Sequence, residues 1–493
     1  EGSMRSRIAL ALVLLLSVAA PAAAHHEDKP IDERRGIEIG RAAPTNSLNG
    51  IYVSPHDGEV YIASVGGDEI TVHHPRTGRL VDRIGPERGV NGPDDVFVTE
   101  DGTVYWTEIL TGNVGMLKPD GTFTHQFVGP GVNPITMSDD GRLFVNRLFL
   151  GQGLWELDPN LIDPPVEIHP DLMVNSFDFG PDGFLYAPSF FTGEVLKIDV
   201  DSAIPVDFDV VANIGGVSSA VKFNSVGEAF AVDIGEGKVL KLDLSGADAH
   251  DVLLDVEGTI DNIALNKRDV IFVAVGADNQ IIRIHPNGNT RTIQRGGLGL
   301  PGGIAVDDDG RVWVSELFAL KGFDKGKKKP AAALYDRFVI PGTGFAGATT
   351  VQIDGDNLLL SSGFANAVQV INPETGVVSL DVRAFGAVTN AIRHNGTIAA
   401  ADAAFGNVVN AEDTSEVILE GLIVPLGMAS DGSTLYVAVW ATGFVWGTFG
   451  CAPGVLAGGL VGGEGWGVDG GRGGGVAVGR GEGGGGRGCG GGG

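Results

Sequence analysis

A short sequence pattern recurs along most of the chain at intervals of roughly forty-two residues, and this repeat limits the possible folds more than any other feature. The repeating unit has a loop residue that is small, Asn or Asp, then an apolar strand, a turn of the Asp-Gly type and a second alternating strand. No segment has a sustained helical period. The repeat therefore predicts an all-β protein, a β-propeller of four-stranded blades. The copies begin at Asn49, Asp94, Asn133, Asn175, Ser219 and Asp261, with weaker ones near Gly302, Thr350, Asn390 and Gly427.

The number of copies, about ten, leaves two arrangements open, because propellers usually have four to eight blades. The first six copies, which end near Gln294, could close one six-bladed ring that is followed by an incomplete second ring. Alternatively, all copies form one wide ring, since their spacing is even and no linker follows the sixth. The lysine-rich stretch Lys321–Lys329 is a candidate seam, although it falls inside a repeat.

The two ends of the chain differ from the repeats. Residues 1–24 have a basic start, an apolar run and a small-residue cleavage site near Ala24, which predicts an export signal and a secreted or periplasmic protein. Residues 25–45 form an N-terminal extension, and residues 46–446 hold the repeats. Residues 447–493 are glycine-rich, contain both cysteines, and are expected to be disordered or the product of a frame error.

The charge of the chain excludes one class of partner. The formal net charge is −28, whereas nucleic-acid binding requires a basic patch. No segment after the leader is apolar enough to predict a membrane span. An acidic protein without body cysteines is suited to hard cations, which take carboxylate and carbonyl oxygens. The expected partner is a small-molecule substrate or an extracytoplasmic partner.

The loop residue before the inner strand is Asn or Asp in six copies. Equivalent positions of successive blades converge at one mouth of the central channel, so these side chains could ring the axis and bind a divalent cation such as Ca²⁺. The alternative is that they cap their loops through backbone hydrogen bonds. Asp94 and Asp261 are the charged members and the candidate catalytic residues. The candidate metal ligands are Asn49, Asp94, Asn133, Asn175, Asp261 and Asn390.

Several motifs resemble the blades of the gluconolactonase/regucalcin group and of the related NHL-repeat and streptogramin-lyase propellers. They are Gly-Pro-Asp-Asp-Val-Phe-Val at 92–98, Asp-Gly-Thr-Val-Tyr-Trp-Thr at 101–107, Asp-Asn-Ile-Ala at 261–264 and Pro-Gly-Gly-Ile-Ala-Val at 301–306. The resemblance implies a calcium ion in the channel, held by Glu, Asn and Asp side chains, that polarises a lactone or ester carbonyl. In the lyases it implies magnesium and a histidine base.

Three functions therefore remain open: a metal-dependent hydrolase of lactones or related esters, a non-catalytic binding or scaffold propeller, and a lyase. The lyase requires a channel histidine, for which His394 is the candidate because it lies in an inner-strand copy. Glu108, Asp233 and Glu316 end second strands, and they are expected to be solvated residues at the blade edge.

Overall fold

A computed structural model describes residues 43–245, 250–336, 345–363, 365–439, 444–449 and 452–458. Within these residues the chain forms ten four-stranded antiparallel sheets, here called blades 1 to 10, and each blade consists of four consecutive strands. The predicted all-β architecture of four-stranded blades is confirmed. The leader and almost all of the extension lie outside the described residues.

The first six blades contain strands β1 to β24. Their bounds are β1 (Ile51–Val53), β2 (Val60–Ser64), β3 (Glu69–His73), β4 (Leu80–Ile84); β5 (Pro93–Val98), β6 (Val104–Glu108), β7 (Asn113–Leu117), β8 (Phe123–Phe127); β9 (Val132–Met137), β10 (Leu143–Arg147), β11 (Leu154–Leu157), β12 (Val166–His169); β13 (Asp178–Phe179), β14 (Leu185–Pro188), β15 (Glu194–Asp199), β16 (Asp207–Asn213); β17 (Ser218–Phe223), β18 (Ala229–Asp233), β19 (Lys238–Lys241), β20 (Asp251–Asp255); β21 (Ile260–Leu265), β22 (Ile271–Val275), β23 (Gln280–Ile284) and β24 (Thr290–Gln294).

Blades 7 to 10 contain the remaining strands. Their bounds are β25 (Ile304–Val306), β26 (Val312–Ser315), β27 (Ala319–Phe323), β28 (Ala332–Tyr335); β29 (Thr350–Asp354), β30 (Asn357–Ser362), β31 (Ala367–Ile371), β32 (Val378–Val382); β33 (Val388–His394), β34 (Thr397–Asp402), β35 (Asn407–Asn410), β36 (Asp413–Leu419); β37 (Pro425–Ser430), β38 (Leu435–Val439), β39 (Phe444–Phe449) and β40 (Ala452–Gly458). Short 3₁₀ helices span Pro86–Arg88 and Gly276–Asp278.

The Asp-Gly dipeptides set the hairpin between the first and second strands, as the repeat predicts. In blade 2, Gly102 has φ +89°, which glycine adopts without strain. The Asp101 carboxylate accepts a hydrogen bond from the Thr103 N–H at 3.0 Å and closes the turn. The two strands that this turn connects, β5 and β6, have apolar residues on both faces. The reason is that neighbouring blades of a propeller cover each blade on both sides.

The first six blades close into a ring. Inner strand β1 packs beside β5 on one side and beside β21 on the other. Between blades 6 and 1, a buried apolar core joins Ile51 and Ile62 to Phe272 and Ile281. Comparable cores lie between the other neighbouring blades of the ring. The ring ends at Gln294, where the six-copy interpretation placed its end, and a single ring of all ten blades is excluded.

The later blades belong to two compact units. Blades 7 and 8 lie in the first unit, which runs to Ala391, and they share a core that includes Trp313 and Leu360. The second unit begins at Ile392 and contains a core shared by blades 9 and 10. The stretch Lys321–Lys329 is therefore not a seam: it covers the end of β27 and the hairpin that follows, inside blade 7.

The tenth blade extends further than the repeat pattern indicates. Its last two strands, β39 and β40, continue past residue 446 to Gly458, because backbone pairing between them does not require apolar side chains. Residues 459–493 lie outside the described residues. Within the described part of the chain, no helix is long and apolar enough to cross a membrane.

Candidate active site

Bulges at the start of the innermost strands form the candidate site. The residues on either side of Asp261 pair with consecutive residues of β22, so that Asp261 itself has no opposite partner. Ser219 is left over in the same way on β17, and on β5 Asp94 and Asp95 together face the single residue Thr107. A bulge turns the extra residue out of the strand alternation, a frequent arrangement at functional sites. Because innermost strands line the centre of a propeller, these bulges place Asp94 and Asp261 at the channel.

Three aspartates of blades 2 and 6 come together above blade 1. The Asn262 amide of blade 6 donates a hydrogen bond to Asp95 Oδ1 of blade 2 at 3.3 Å. Between them lies Gly50 of blade 1, whose N–H donates to the Asp94 carbonyl oxygen at 2.7 Å. A Cβ atom at Gly50 would lie 2.3 Å from Asp95 Oδ1. The absence of a side chain at Gly50 therefore lets the Asp94–Asp95 segment of blade 2 pack directly against blade 1.

The proximity of these carboxyls changes their proton affinity. Burial, with the negative charges of Asp261 and Asp95, raises the pKa of Asp94 well above its usual range. Burial, together with the charge of Asp95, raises the pKa of Asp261 to about 7. Within the described residues, the carboxyls of Asp94 and Asp261 accept no hydrogen bond from the protein. This pair therefore has oxygens free for a cation or a substrate, and Asp261 binds a proton near neutral pH.

A half-buried lysine divides the carboxyls of the channel into two groups. Lys222 of β17 donates from Nζ to the Phe177 carbonyl oxygen at 2.9 Å. Its positive charge partly offsets the effect of burial on Asp178, whose pKa is raised, and on Asp95, whose pKa is raised to about 6. Asp95 also accepts a hydrogen bond from the Ile135 N–H at 3.3 Å. Asp95 and Asp178 thus have a counter-charge from the protein, whereas no such offset acts on Asp94 and Asp261.

The predicted asparagines of the ring lie at the same mouth but make loop contacts. The Asn49 Oδ1 atom accepts a hydrogen bond from the Val65 N–H at 3.3 Å. The Asn175 Oδ1 atom accepts one from the N–H of its neighbour Ser176 at 2.9 Å. Asn133 is buried in β9. The capping interpretation accounts for Asn49 and Asn175, although each carbonyl oxygen retains a second lone pair.

Asn390 and His394 are not part of this group. Asn390 lies in β33 of blade 9, outside the six-bladed ring, and its Oδ1 atom is buried without a hydrogen-bond partner among the described residues. His394 ends the same strand, and its Nδ1 lies 2.8 Å from Ser430 Oγ of blade 10. Its Nε2 lies 3.1 Å from the Asn395 amide. Both ring nitrogens therefore have partners within blades 9 and 10.

Two residues of the site were missed because the sequence search considered one position of the repeat. Asp95 and Asn262 each follow a predicted residue directly, and Ser176 occupies the same place in blade 4. The bulge explains why adjacent residues can both reach the channel. A search for copies with two consecutive polar residues before the strand would have found them.

The acidic residues that end second strands are buried, contrary to the expectation of solvated edges. The Glu108 side chain, 1% exposed, accepts hydrogen bonds from Trp106 Nε1 at 3.1 Å and from Thr111 Oγ1 at 2.5 Å. Asp233 is also buried, and it accepts one from the Glu236 N–H at 3.0 Å. Asp233 thus caps the turn into the third strand through a backbone N–H, whereas side-chain donors hold Glu108 there.

The donor set has the chemistry of a hard-cation site with few charges. Asp94 and Asp261 supply two carboxyls, and the nearby asparagines supply neutral oxygens, which calcium accepts. Over the described ranges, no three or more His, Cys, Asp and Glu side chains are placed to hold a metal ion together. A cation here would therefore have two carboxylate ligands, completed by amide oxygens or water.

The comparisons with known proteins concern the fold. No family model and no curated protein matches the chain. A streptogramin B lyase structure is 18% identical, over 56% of this chain and 92% of that chain, with a TM-score of 0.42. A regucalcin from Agrobacterium tumefaciens, described as a calcium-binding protein, is 16% identical over 47% of this chain and 82% of that chain. Its TM-score is 0.40.

A gluconolactonase from Xanthomonas campestris is similar to the same degree, with 14% identity over 48% of this chain and 85% of that chain and a TM-score of 0.41. These are propeller proteins of the groups that the sequence resembles. At such identities they assign no activity to this chain. By its own blades and channel, the protein is a β-propeller with a closed six-bladed ring and four additional blades.

Proposed function

We propose that this protein is an exported, calcium-dependent hydrolase of lactones or related esters that acts in the channel of blades 1 to 6. The observation that supports this proposal most strongly is the Asp94–Asp261 pair. Both carboxyls lie on bulges of innermost strands, and both are free of protein hydrogen bonds among the described residues. Burial and the negative charges of neighbouring aspartates, Asp95 among them, raise the pKa of each, so a divalent cation that neutralised the pair would bind favourably.

The residues that hold the cation in this proposal are Asp94 and Asp261, with Asn49, Asn133 and Asn175 as neutral donors. A calcium ion would polarise the substrate carbonyl and lower the pKa of the attacking water. The rest of the chemistry belongs to the protein. Lys222 keeps Asp95 and Asp178 from requiring a second cation, because it supplies their counter-charge.

Asp261 is the proton acceptor in this mechanism. Its side chain is half-buried rather than sealed from solvent, so a water in the channel can reach its carboxylate. It takes a proton from the water whose oxygen attacks the carbonyl carbon. The carbonyl carbon–ring oxygen bond then breaks, and the proton passes to the departing oxygen to give the hydroxy acid.

Elemental analysis of the purified protein, with a panel of lactones and esters assayed before and after chelation, tests the proposal. Calcium in the protein and hydrolysis that stops on chelation are expected. Asp94→Asn and Asp261→Asn should each lower kcat about a hundredfold or more. The exposed Asp209 of β16 provides the matched control, since Asp209→Asn changes the same charge away from the channel.

Two results would contradict the hydrolase. One is a metal-free protein whose stability does not change in chelator, and the other is turnover that survives Asp94→Asn and Asp261→Asn. If no lactone or ester is hydrolysed and the two variants leave binding of an extracytoplasmic partner unchanged, the propeller is a binding or scaffold protein.

A further inference from the structure

Blade 7 is attached to the six-bladed ring through a buried ion-pair network. Lys321 of β27 is 3% exposed, and its Nζ lies 2.7 Å from Glu316 Oε2 and 3.5 Å from Asp278 Oδ1 of blade 6. The same ammonium donates to the Ala277 carbonyl oxygen at 3.2 Å. A buried lysine needs such partners, because an unpaired charge away from water is strongly unfavourable. Blade 7 is thus joined to the ring by contacts that solvent does not screen.

Two hydrogen bonds from hydroxyl groups extend this attachment to the loop that carries the candidate catalytic residue. Tyr335 of β28 donates from its hydroxyl to Asp278 Oδ1 at 2.9 Å. The Thr259 hydroxyl of blade 6 donates to the Asp336 carbonyl oxygen at 2.5 Å. Thr259 comes two residues before Asp261 and directly before β21. Blade 7 therefore holds the backbone from which the bulge at Asp261 begins.

The turn that blade 7 contacts is also the one that joins the two ends of the ring. The Ser47 N–H, just before blade 1, donates to Asn279 Oδ1 at 2.7 Å. A Cβ atom on Gly276 would lie 2.8 Å from the Leu48 carbonyl oxygen, so the turn packs directly on the entry to blade 1. No strand is exchanged across this junction, because each blade consists of its own consecutive strands. Side-chain and loop contacts alone close the ring.

We propose that blade 7 is a clamp on this junction and that Lys321, Tyr335 and Thr259 are positioning residues for Asp261. Blade 7 contacts the Gly276–Asp278 turn on one side and the entry to blade 1 contacts it on the other, so the turn is held against blade 1. The hydrogen bond from the Thr259 hydroxyl to the Asp336 carbonyl oxygen fixes the start of β21. The bulge at Asp261 then keeps its place beside Asp94. The effect on turnover rests on the proposed function, whereas the effect on the junction does not.

The test is a double variant, Thr259→Val with Tyr335→Phe, in the full chain. It removes both hydroxyl hydrogen bonds and leaves Lys321 paired with Glu316 and Asp278. Thr349→Val is the matched control, since that hydroxyl donates to the Ser361 carbonyl oxygen within blade 8 at 2.9 Å. Amide hydrogen exchange is measured in β21 and, for reference, in β9 of blade 3. We expect exchange in β21 to be about tenfold faster or more in the double variant, with β9 unchanged.

Calcium binding and steady-state kinetics complete the test. A displaced Asp261 should weaken calcium binding and, if a lactone is hydrolysed, lower kcat with little change in KM. Lys321→Met with Glu316→Gln, which removes the buried pair together, should give the same pattern. Exchange in β21 equal to that of the Thr349→Val control would overturn the clamp. Because exchange needs neither metal nor substrate, that outcome is distinct from failure of the proposed function.

Discussion

At the scale of single residues, the channel separates carboxyls that the protein neutralises from carboxyls that it does not. Asp95 and Asp178 have the Lys222 ammonium as a counter-charge. Asp94 and Asp261 have burial and the charge of Asp95 acting on them without that offset. A site that leaves two carboxyls unneutralised is less stable when they ionise and more receptive to a cation.

This imbalance predicts a pH effect on stability. A carboxyl whose pKa is raised in the folded protein stabilises the fold at low pH, where it is protonated. For Asp261 this stability is lost as the pH rises from about 4, near the pKa in the unfolded chain, to about 7, the pKa in the folded protein. Asp261→Asn removes this loss. In chelator at pH 8, the variant should therefore be more stable than the natural protein by roughly 1–3 kcal/mol, and the two should converge near pH 4.

Thermal unfolding of both proteins between pH 4 and 8 measures the difference. Asp209→Asn, on the exposed outer strand of blade 4, should reproduce the natural pH dependence. If the Asp261→Asn variant were less stable than the natural protein at pH 8 in chelator, the fold would be stabilising the ionised Asp261 carboxylate, contrary to this prediction. Added calcium should stabilise the natural protein and not the variant.

At the scale of elements, the same repeat position serves different purposes in different blades. Gly50 of blade 1 and Gly427 of blade 10 occupy equivalent places. A Cβ at Gly50 would lie 2.5 Å from the Asp95 Cα, which is backbone and cannot turn away. At Gly427 the nearest atom would be the Ala438 Cβ at 3.8 Å, an ordinary contact.

Gly50→Ala should therefore destabilise the protein by about 1–3 kcal/mol and disturb the Asp95–Asn262 hydrogen bond. Gly427→Ala, the matched control, should change stability by less than about 0.5 kcal/mol. Chemical denaturation of the two variants makes the comparison. If both substitutions had equal effects, blades 1 and 2 could move apart near Gly50 without a loss of stability, and the prediction would be wrong.

The elements also show how far the sequence can predict this protein. The Asp-Gly turns and alternating strands are local, so the repeat predicts the blades and the hairpin at Gly102. A bulge depends on the register of the facing strand, which local pattern does not contain, and for that reason Asp95 and Asn262 were missed. The burial of Glu108 depends on hydrogen bonds to the next turn, which the expectation of a solvated edge did not include.

At the scale of the whole molecule, ring closure at six blades is a property of long-range packing. Ile51 and Phe272 are more than two hundred positions apart, yet they share one core. Periodicity alone assigns similar apolar residues to every blade and cannot say which blade meets blade 1. Of the candidate ligands, closure brings Asn49, Asp94, Asn133, Asn175 and Asp261 to one ring and leaves Asn390 outside it.

The closing core predicts a large effect from one truncation. Phe272 is fully buried between blades 6 and 1, so Phe272→Ala should destabilise the protein by about 3–5 kcal/mol. Phe208→Ala, at an exposed position of β16, should cost less than about 1 kcal/mol. Denaturant unfolding distinguishes the two. A small loss from Phe272→Ala would indicate that blades 6 and 1 do not depend on one another.

The strand order of the sheets has a consequence for how such a chain can change over time. Every blade is one uninterrupted stretch of sequence, so no sheet borrows a strand from a distant part of the chain. An in-frame duplication or deletion of a coding segment of about forty-two codons therefore adds or removes a whole sheet without breaking another. Blade number in this architecture can drift by whole units while the ring that carries the aspartates stays intact.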